Sequence, residues 1–230
     1  MNFIITGASR GLGKAFAKYA SRLGGTVGIV ATNQKLLKDL SNELKGCNVI
    51  TYVCDFTEPS AVEALVKELQ MDFPKIDVII NNVGAFEMGN LNETTLEDID
   101  KMLAINFKAS FSITQGFLST LKRQQKGLIV NIGSIVTEEP KKDFAAAYTI
   151  SKFALQGYTK LLCDELKDFG VQVTEIIPGS INTSSWDGID VPREQLIQSA
   201  DIVNILNMVI NSSKGTNFEQ FIVRPTNRNF

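Results

Sequence analysis

The sequence predicts an α/β fold: one doubly wound parallel sheet of about seven strands, with helices on both faces. Three observations carry this. Short apolar runs rich in Val and Ile recur along the chain, the pattern of strands buried on both faces. Longer stretches of helical periodicity lie between them, the alternation that builds parallel βαβ units. Gly, Asn, Ser and Pro gather just after the strands, at the edge where this architecture binds ligands.

The elements follow in order. FIIT (3–6) reads as the first strand and 11–23 as the helix after it. TVGIVA (26–31) is the second strand, and Asn33 is placed to cap the next helix. NVITYVC (48–54) is the third. A helix runs over about 58–73, with Pro59 tolerated in its first turn. IDVIIN (76–81) is the fourth strand. Thr94-Thr95-Leu96-Glu97 reads as a capping box that opens a helix, and a more apolar helix covers about 109–123. GLIVNIG (127–133) is the fifth strand, 146–169 a long helical stretch, and VQVTEIIP (171–178) the sixth strand. Residues 193–211 read as helical and FEQFIVRP (218–225) as the last strand. No repeat or linker divides the pattern, so one domain is expected over 1–230.

Composition narrows the function. The chain has 230 residues, 44% hydrophobic and 21% charged, with formal net charge −2. That balance gives no electrostatic reason to expect nucleic acid or an anionic membrane as partner. No apolar run approaches the roughly 20 residues that span a bilayer. The first strand begins at Asn2 or Phe3, which leaves no room for a signal peptide, so a cytoplasmic location is expected. Cys47, Cys54 and Cys163 show no metal-ligand spacing, and no metal is expected. Histidine is absent. This excludes Ser-His-Asp and Cys-His machinery and His-based zinc sites. An acid or base working near neutral pH must then be a Tyr, Lys, Cys or carboxylate.

Residues 6–14 read TGASRGLGK. The stretch follows a strand and opens a helix, the context in which glycines let backbone approach a phosphate at a helix N-terminus. A mononucleotide P-loop ending at Gly13-Lys14 needs Gly at 8 and Ser or Thr at 15; both are Ala. Further on, Tyr148 and Lys152 stand four apart, on one helix face. A neighbouring ammonium favours a phenolate and is expected to lower the phenol's pKa. Ser134 lies fourteen residues before Tyr148 at the end of a strand, where its hydroxyl can hydrogen-bond a substrate carbonyl. Asn106 lies in a helical segment, Asn81-Asn82-Val83-Gly84 ends the fourth strand, and Pro178-Gly179-Ser180-Ile181-Asn182-Thr183 ends the sixth.

Taken together and in order, T-G-x-x-x-G-x-G, N-N-x-G, N, S, Y-x-x-x-K and P-G resemble the short-chain dehydrogenase/reductase family over nearly the whole chain. The resemblance implies a Rossmann-type fold and an oxidoreductase in which hydride passes between a nicotinamide and a carbonyl or alcohol carbon. Tyr148 is then the proton donor or acceptor and Ser134 polarises the carbonyl. Lys152 binds the nicotinamide ribose and tunes Tyr148, and Asn106 helps to hold a water that joins Lys152 to a proton relay. On the cofactor side the resemblance implicates Gly7, Ser9, Arg10, Gly11, Leu12 and Gly13 at the phosphates and Asp55 at the adenine. It places Asn81 and Gly84 along the adenosine, Ile181 and Thr183 at the carboxamide, and Pro178 and Gly179 among the cofactor-binding residues. Relatives pair through helices matching 107–124 and 146–168, so a homodimer or homotetramer is implied.

The cofactor expected is NADP(H). An NAD site usually offers a carboxylate after the second strand, whereas this chain reads Ala31-Thr32-Asn33. Arg10 adds a cation suited to a 2′-phosphate, with Thr32 beside it. This pairing resembles the cofactor loop of NADPH-dependent β-ketoacyl carrier-protein reductases. The C-terminal FIVRPTNRNF departs from their glycine-rich tail. The substrate therefore stays open among ketone, aldehyde and β-ketoacyl thioester. Phe86, Met88, Phe144 and Trp186 are the candidate pocket walls. A non-catalytic NADP-binding regulator and an NAD-dependent alcohol dehydrogenase are the alternatives.

Overall fold

A computed structural model describes residues 1–227. Seven strands form the main sheet: β1 (Asn2–Thr6), β2 (Thr26–Ala31), β3 (Asn48–Val53), β4 (Val78–Asn81), β5 (Gly127–Ile132), β6 (Val171–Pro178) and β9 (Gln220–Val223). Their order is β3-β2-β1-β4-β5-β6-β9 and every pairing is parallel. The order reverses between β1 and β4, which opens a crevice at the carboxyl ends of those strands. Two further two-residue strands, β7 (Ile181–Asn182) and β8 (Ile197–Gln198), pair with each other beside this edge.

Alternation along each strand decides which face each side chain serves. Phe3, Ile5, Val78, Ile80, Leu128 and Val130 join one core cluster, with α1 (Gly11–Arg22), α2 (Gln34–Glu43) and α7 (Ser199–Ile210). Ile4, Ile79, Ile129 and Val173 join the other, with α3 (Pro59–Asp72), α5 (Ala109–Gln124) and α6 (Ala146–Leu166). Burial on both sides is what turned these strands into unbroken apolar runs.

The local signals act as expected in several places. The Asn33 side chain accepts from Leu36 N and caps α2, and Pro59 occupies the first turn of α3. Elsewhere the structure differs. The capping box belongs to Thr95 and Asp98, one residue later than expected. Thr95 Oγ1 accepts from Asp98 N at 3.2 Å while Asp98 Oδ2 accepts from Thr95 N at 2.9 Å. Thr94 instead donates its hydroxyl to the Asn90 carbonyl. The stretch 193–211 is not one helix. It holds a 3₁₀ turn (Arg193–Gln195), then β8, and α7 begins only at Ser199. Ile197 is buried and its N–H donates to Ser180 O at 3.0 Å, which holds that residue extended. The last strand is shorter than 218–225, and β4 begins at Val78 rather than at residue 76. Between α4 (Leu96–Leu103) and α5 the chain stays helical through a π turn, Ala104–Lys108.

Candidate functional site

The glycine loop and the loop after β4 are sewn together. Thr6 Oγ1 accepts from Asn82 N and Val83 N, both at 3.0 Å. The Asn82 amide donates to the Thr6 and Gly7 carbonyls at 2.9 and 3.2 Å. Gly7 has φ +63° and Gly11 φ +53°, a region that only glycine enters without strain. Gly13 is required by contact: a Cβ there would lie 2.2 Å from the Gly7 carbonyl oxygen. The result is a tight ring of backbone around the start of α1. That helix start has no side-chain cap and no acid in its first turn, so its N–H groups and positive dipole end suit a phosphate. Thr183 reaches the same place, since a Cβ on Gly11 would meet Thr183 Cβ at 3.3 Å. These features fit a dinucleotide pyrophosphate.

The remaining cofactor-side positions divide by what their side chains already do. Arg10 and Thr32 are exposed, and Arg10 has no ion-pair partner among the described residues. Ser9 is half-buried beside Arg10. Leu12 is buried in the core cluster, so its backbone is the part that can face a phosphate. Asp55 Oδ1 accepts from the Thr57 backbone N–H and hydroxyl at 2.9 and 2.7 Å. Those bonds hold its carboxyl below the ordinary carboxylate range and shape the turn into α3. The Asn81 amide faces inward and donates to Thr114 and Asn131; the neighbouring Asn82, not among the expected cofactor residues, is the one that grips the glycine loop. Pro178 ends β6, and Gly179 packs so that a Cβ would lie 2.9 Å from Pro225 Cδ. Ile181 lies in β7.

At the carboxyl edge of β4 and β5 the catalytic candidates come together. Lys152 is buried and donates to the Ile132 carbonyl at 2.8 Å. Its Nζ lies 5.7 Å from the centre of the Tyr148 ring. A Cβ on Gly84 would sit 3.3 Å from Asn106 Oδ1 and 3.7 Å from Lys152 Nζ, so Gly84, Asn106 and Lys152 are neighbours. Asn106 is fully buried in the π turn. Its Oδ1 accepts from Ala85 N at 2.8 Å, and its Nδ2 donates to Ala85 O and Ser151 Oγ. The side chain thus ties the loop after β4 to α6. The Ser134 hydroxyl lies beside the Tyr148 phenol and favours its ionised form.

The electrostatics correct one expectation. Burial pushes the Tyr148 phenol above its ordinary pKa, opposed only by the nearby Ser134 hydroxyl. The lowering expected from Lys152 is not found in the protein alone. Burial has pulled Lys152 itself down to about 8, opposed by Glu175, and its ammonium is turned to the Ile132 carbonyl.

Phe86 packs edge-on against the Tyr148 ring (5.1 Å, 78°) and also against Phe144 at 5.5 Å. Met88 is 75% exposed and forms no wall. Trp186 is half-buried in a 3₁₀ turn. Two features here escaped the sequence. The loops 85–93 and 135–145 are joined by backbone bonds, Gly89 N to Phe144 O and Leu91 N to Lys142 O. Arg193 also pins the segment after β6, donating to Asn182 Oδ1, Thr183 O and Asp187 Oδ1. Among the described residues no cluster of metal-ligating side chains occurs and no helix is long and apolar enough to cross a membrane.

Comparison with known proteins agrees with this architecture. An oxidoreductase of Staphylococcus epidermidis is 28% identical over 223 residues, covering 96% of each chain. One from Staphylococcus aureus is 28% identical over 222 residues with the same coverage. Among solved structures, a metagenomic short-chain oxidoreductase in complex with NADP is 26% identical, with TM-score 0.84 and 98% and 97% of the two chains covered. An alcohol dehydrogenase from Thermococcus sibiricus complexed with 5-hydroxy-NADP is 25% identical, with TM-score 0.88 and coverage of 98% and 96%. The family model for short chain dehydrogenases matches residues 2–192. The chain belongs to the short-chain dehydrogenase family and is an oxidoreductase of that type.

Proposed function

We propose that the protein is an NADP(H)-dependent carbonyl reductase, with Tyr148 as acid and base, Ser134 and Lys152 beside it, and Asn106 supporting them. The observation that carries the reading is the convergence of the Tyr148 phenol, the Ser134 hydroxyl and the buried Lys152 ammonium at one sheet edge. When bound, the nicotinamide supplies hydride to the carbonyl carbon. The protein supplies the rest. Ser134 donates a hydrogen bond to the carbonyl oxygen. Tyr148 gives that oxygen its phenolic proton as negative charge develops, completing the alcohol, and removes the proton in the reverse direction. Lys152 holds the ribose. Asn106 keeps Gly84-Ala85 and α6 in register so that Lys152 stays aimed at the site.

The cofactor residues are Gly7, Ser9, Arg10, Gly11, Leu12 and Gly13 around the pyrophosphate, with Thr32 and Arg10 at the 2′-phosphate. Asp55, Asn81 and Gly84 line the adenosine side. Pro178, Gly179, Ile181 and Thr183 hold the nicotinamide end. The similar proteins from a metagenome and from Thermococcus sibiricus carry NADP and 5-hydroxy-NADP. The Phe86-Phe144 wall against Tyr148 favours a carbonyl with an apolar side over one flanked by charge. Exposed Phe111, Phe153 and Leu161 on α5 and α6 favour pairing of two copies through these helices.

The cofactor ratio tests the reading. kcat/KM with NADPH is expected to exceed that with NADH, and Arg10→Ala to lower the preference by about 1–3 kcal/mol, the worth of a hydrogen bond to a charged group. A wild-type value with NADH equal to or above that with NADPH overturns the NADP assignment.

A further inference from the structure

Glu175 has no part in the chemistry above. It lies on β6, opposite Asn131 of β5 and Gln220 of β9, and is fully buried. A buried carboxylate is costly unless donors or an opposite charge compensate it. One oxygen has a donor: Oε2 accepts from Gln220 Nε2 at 3.0 Å. The other, Oε1, is buried with no hydrogen-bond partner among the described residues.

That oxygen lies against Gly133. A Cβ on Gly133 would sit 2.7 Å from Oε1 and 3.3 Å from both Cδ and Cγ of Glu175, so the carboxyl reaches this place only beside a glycine. The peptide just before Gly133 carries the Ile132 carbonyl that accepts the Lys152 ammonium at 2.8 Å. Lys152 is itself 4% exposed. A buried carboxylate oxygen without a donor and a buried ammonium therefore flank the same strand end.

We propose that Glu175 is the buried counter-charge of Lys152, a positioning residue that keeps the ammonium protonated and aimed at the Ile132 carbonyl. The other charged groups facing Glu175 are Lys160 on α6 and Glu138 in the turn after β5. Both are exposed, and water screens them. Cys163 on α6 also feels the carboxylate, and its thiol is pushed up to about 11, mainly by burial. Lys152 is thus the buried cation of the group. Burial pulls its pKa down and Glu175 is the charge that holds it up. Burial likewise raises Glu175, while the Gln220 N–H and then Lys152 lower it. Each charge therefore favours the ionised form of the other.

Glu175→Gln tests this, since it keeps the shape and the Gln220 contact but removes the charge. The first readout is NADPH affinity of the full chain, followed by nicotinamide fluorescence from neutral to alkaline pH; it rests on the reading that Lys152 meets the cofactor. Wild-type affinity is expected to fall as pH rises past about 8, and the variant's to fall about one pH unit earlier, making it about tenfold weaker on the alkaline limb and unchanged below it. The second readout needs no cofactor. Lys152 has its pKa lowered in the fold from 10.5 to about 8, so the unfolded chain binds more protons between those values and stability rises with pH across that window. Melting temperatures should show this rise starting about one pH unit lower in Glu175→Gln.

Gln220→Leu, at an exposed edge position, should move both curves the same way by less, and serves if Glu175→Gln does not fold. Curves that keep their wild-type shape, displaced equally at every pH or not at all, overturn the proposal. A wild type that binds no NADPH, together with a displaced melting curve, upholds the Glu175 assignment and rejects the cofactor reading.

Discussion

Tyr148→Phe is expected to lower carbonyl reduction by at least about 10³-fold, within the range that a positioned acid contributes, while NADPH affinity stays nearly unchanged. The substitution removes one oxygen and keeps the ring. That ring has its own contacts, edge-on with Phe86 at 5.1 Å and 5.7 Å from the Lys152 ammonium, so the fold of the site survives. Ser134 keeps its 3.4 Å contact from Val136 N. The chain has no histidine to take over. Steady-state rates and fluorescence titration of the same preparation check both halves. Turnover that survives the change would contradict the acid assignment.

Gly13→Ala is expected to do comparable damage by a different route. The added Cβ would lie 2.2 Å from the Gly7 oxygen, 2.6 Å from Asn82 Nδ2 and 2.8 Å from the Gly7 carbonyl carbon. Two of those neighbours are backbone, so relief requires the loop to move. Overpacking of this kind costs about 1–3 kcal/mol in stability. The larger effect falls on the cofactor, because a loop displaced by about an ångström loses on the order of a hundredfold in well-oriented function. Thermal melting with and without NADPH separates the two. A variant that NADPH stabilises as much as it does wild type would contradict the cradle.

The sheet was legible because buried parallel strands announce themselves as Val- and Ile-rich runs. Ile4 and Ile5 point to opposite faces and both are fully buried, so no polar residue interrupts them. The glycine loop was legible for a related reason: positions such as Gly7 and Gly13 admit nothing larger. What the sequence hid depends on contacts across long separations. Asn81 and Asn82 look equivalent as neighbours, yet one faces Thr114 and Asn131 and the other the glycine loop. Arg193 reads as one more surface cation until it is seen joining Asn182, Thr183 and Asp187. The stretch 193–211 has helical composition, but the bond from Ile197 N to Ser180 O holds its first part extended. Glu175 sits inside an apolar run, and only the fold shows that Lys152 lies across β5 from it. The phenol's raised pKa was hidden too, because spacing fixes that Tyr148 and Lys152 share a helix face but not how dry that face is.

The central claim is hydride transfer from NADPH to a carbonyl carbon at Tyr148. Its most direct test uses NADPH deuterated at the transferring position of the nicotinamide, a panel of aryl and alkyl ketones and aldehydes, and mass spectrometry of the products. The account predicts an alcohol carrying one deuterium on the former carbonyl carbon, formed by wild type and not by Tyr148→Phe. Tight NADPH binding with no deuterium transferred to any carbonyl would contradict it and identify a binding protein built on the same fold.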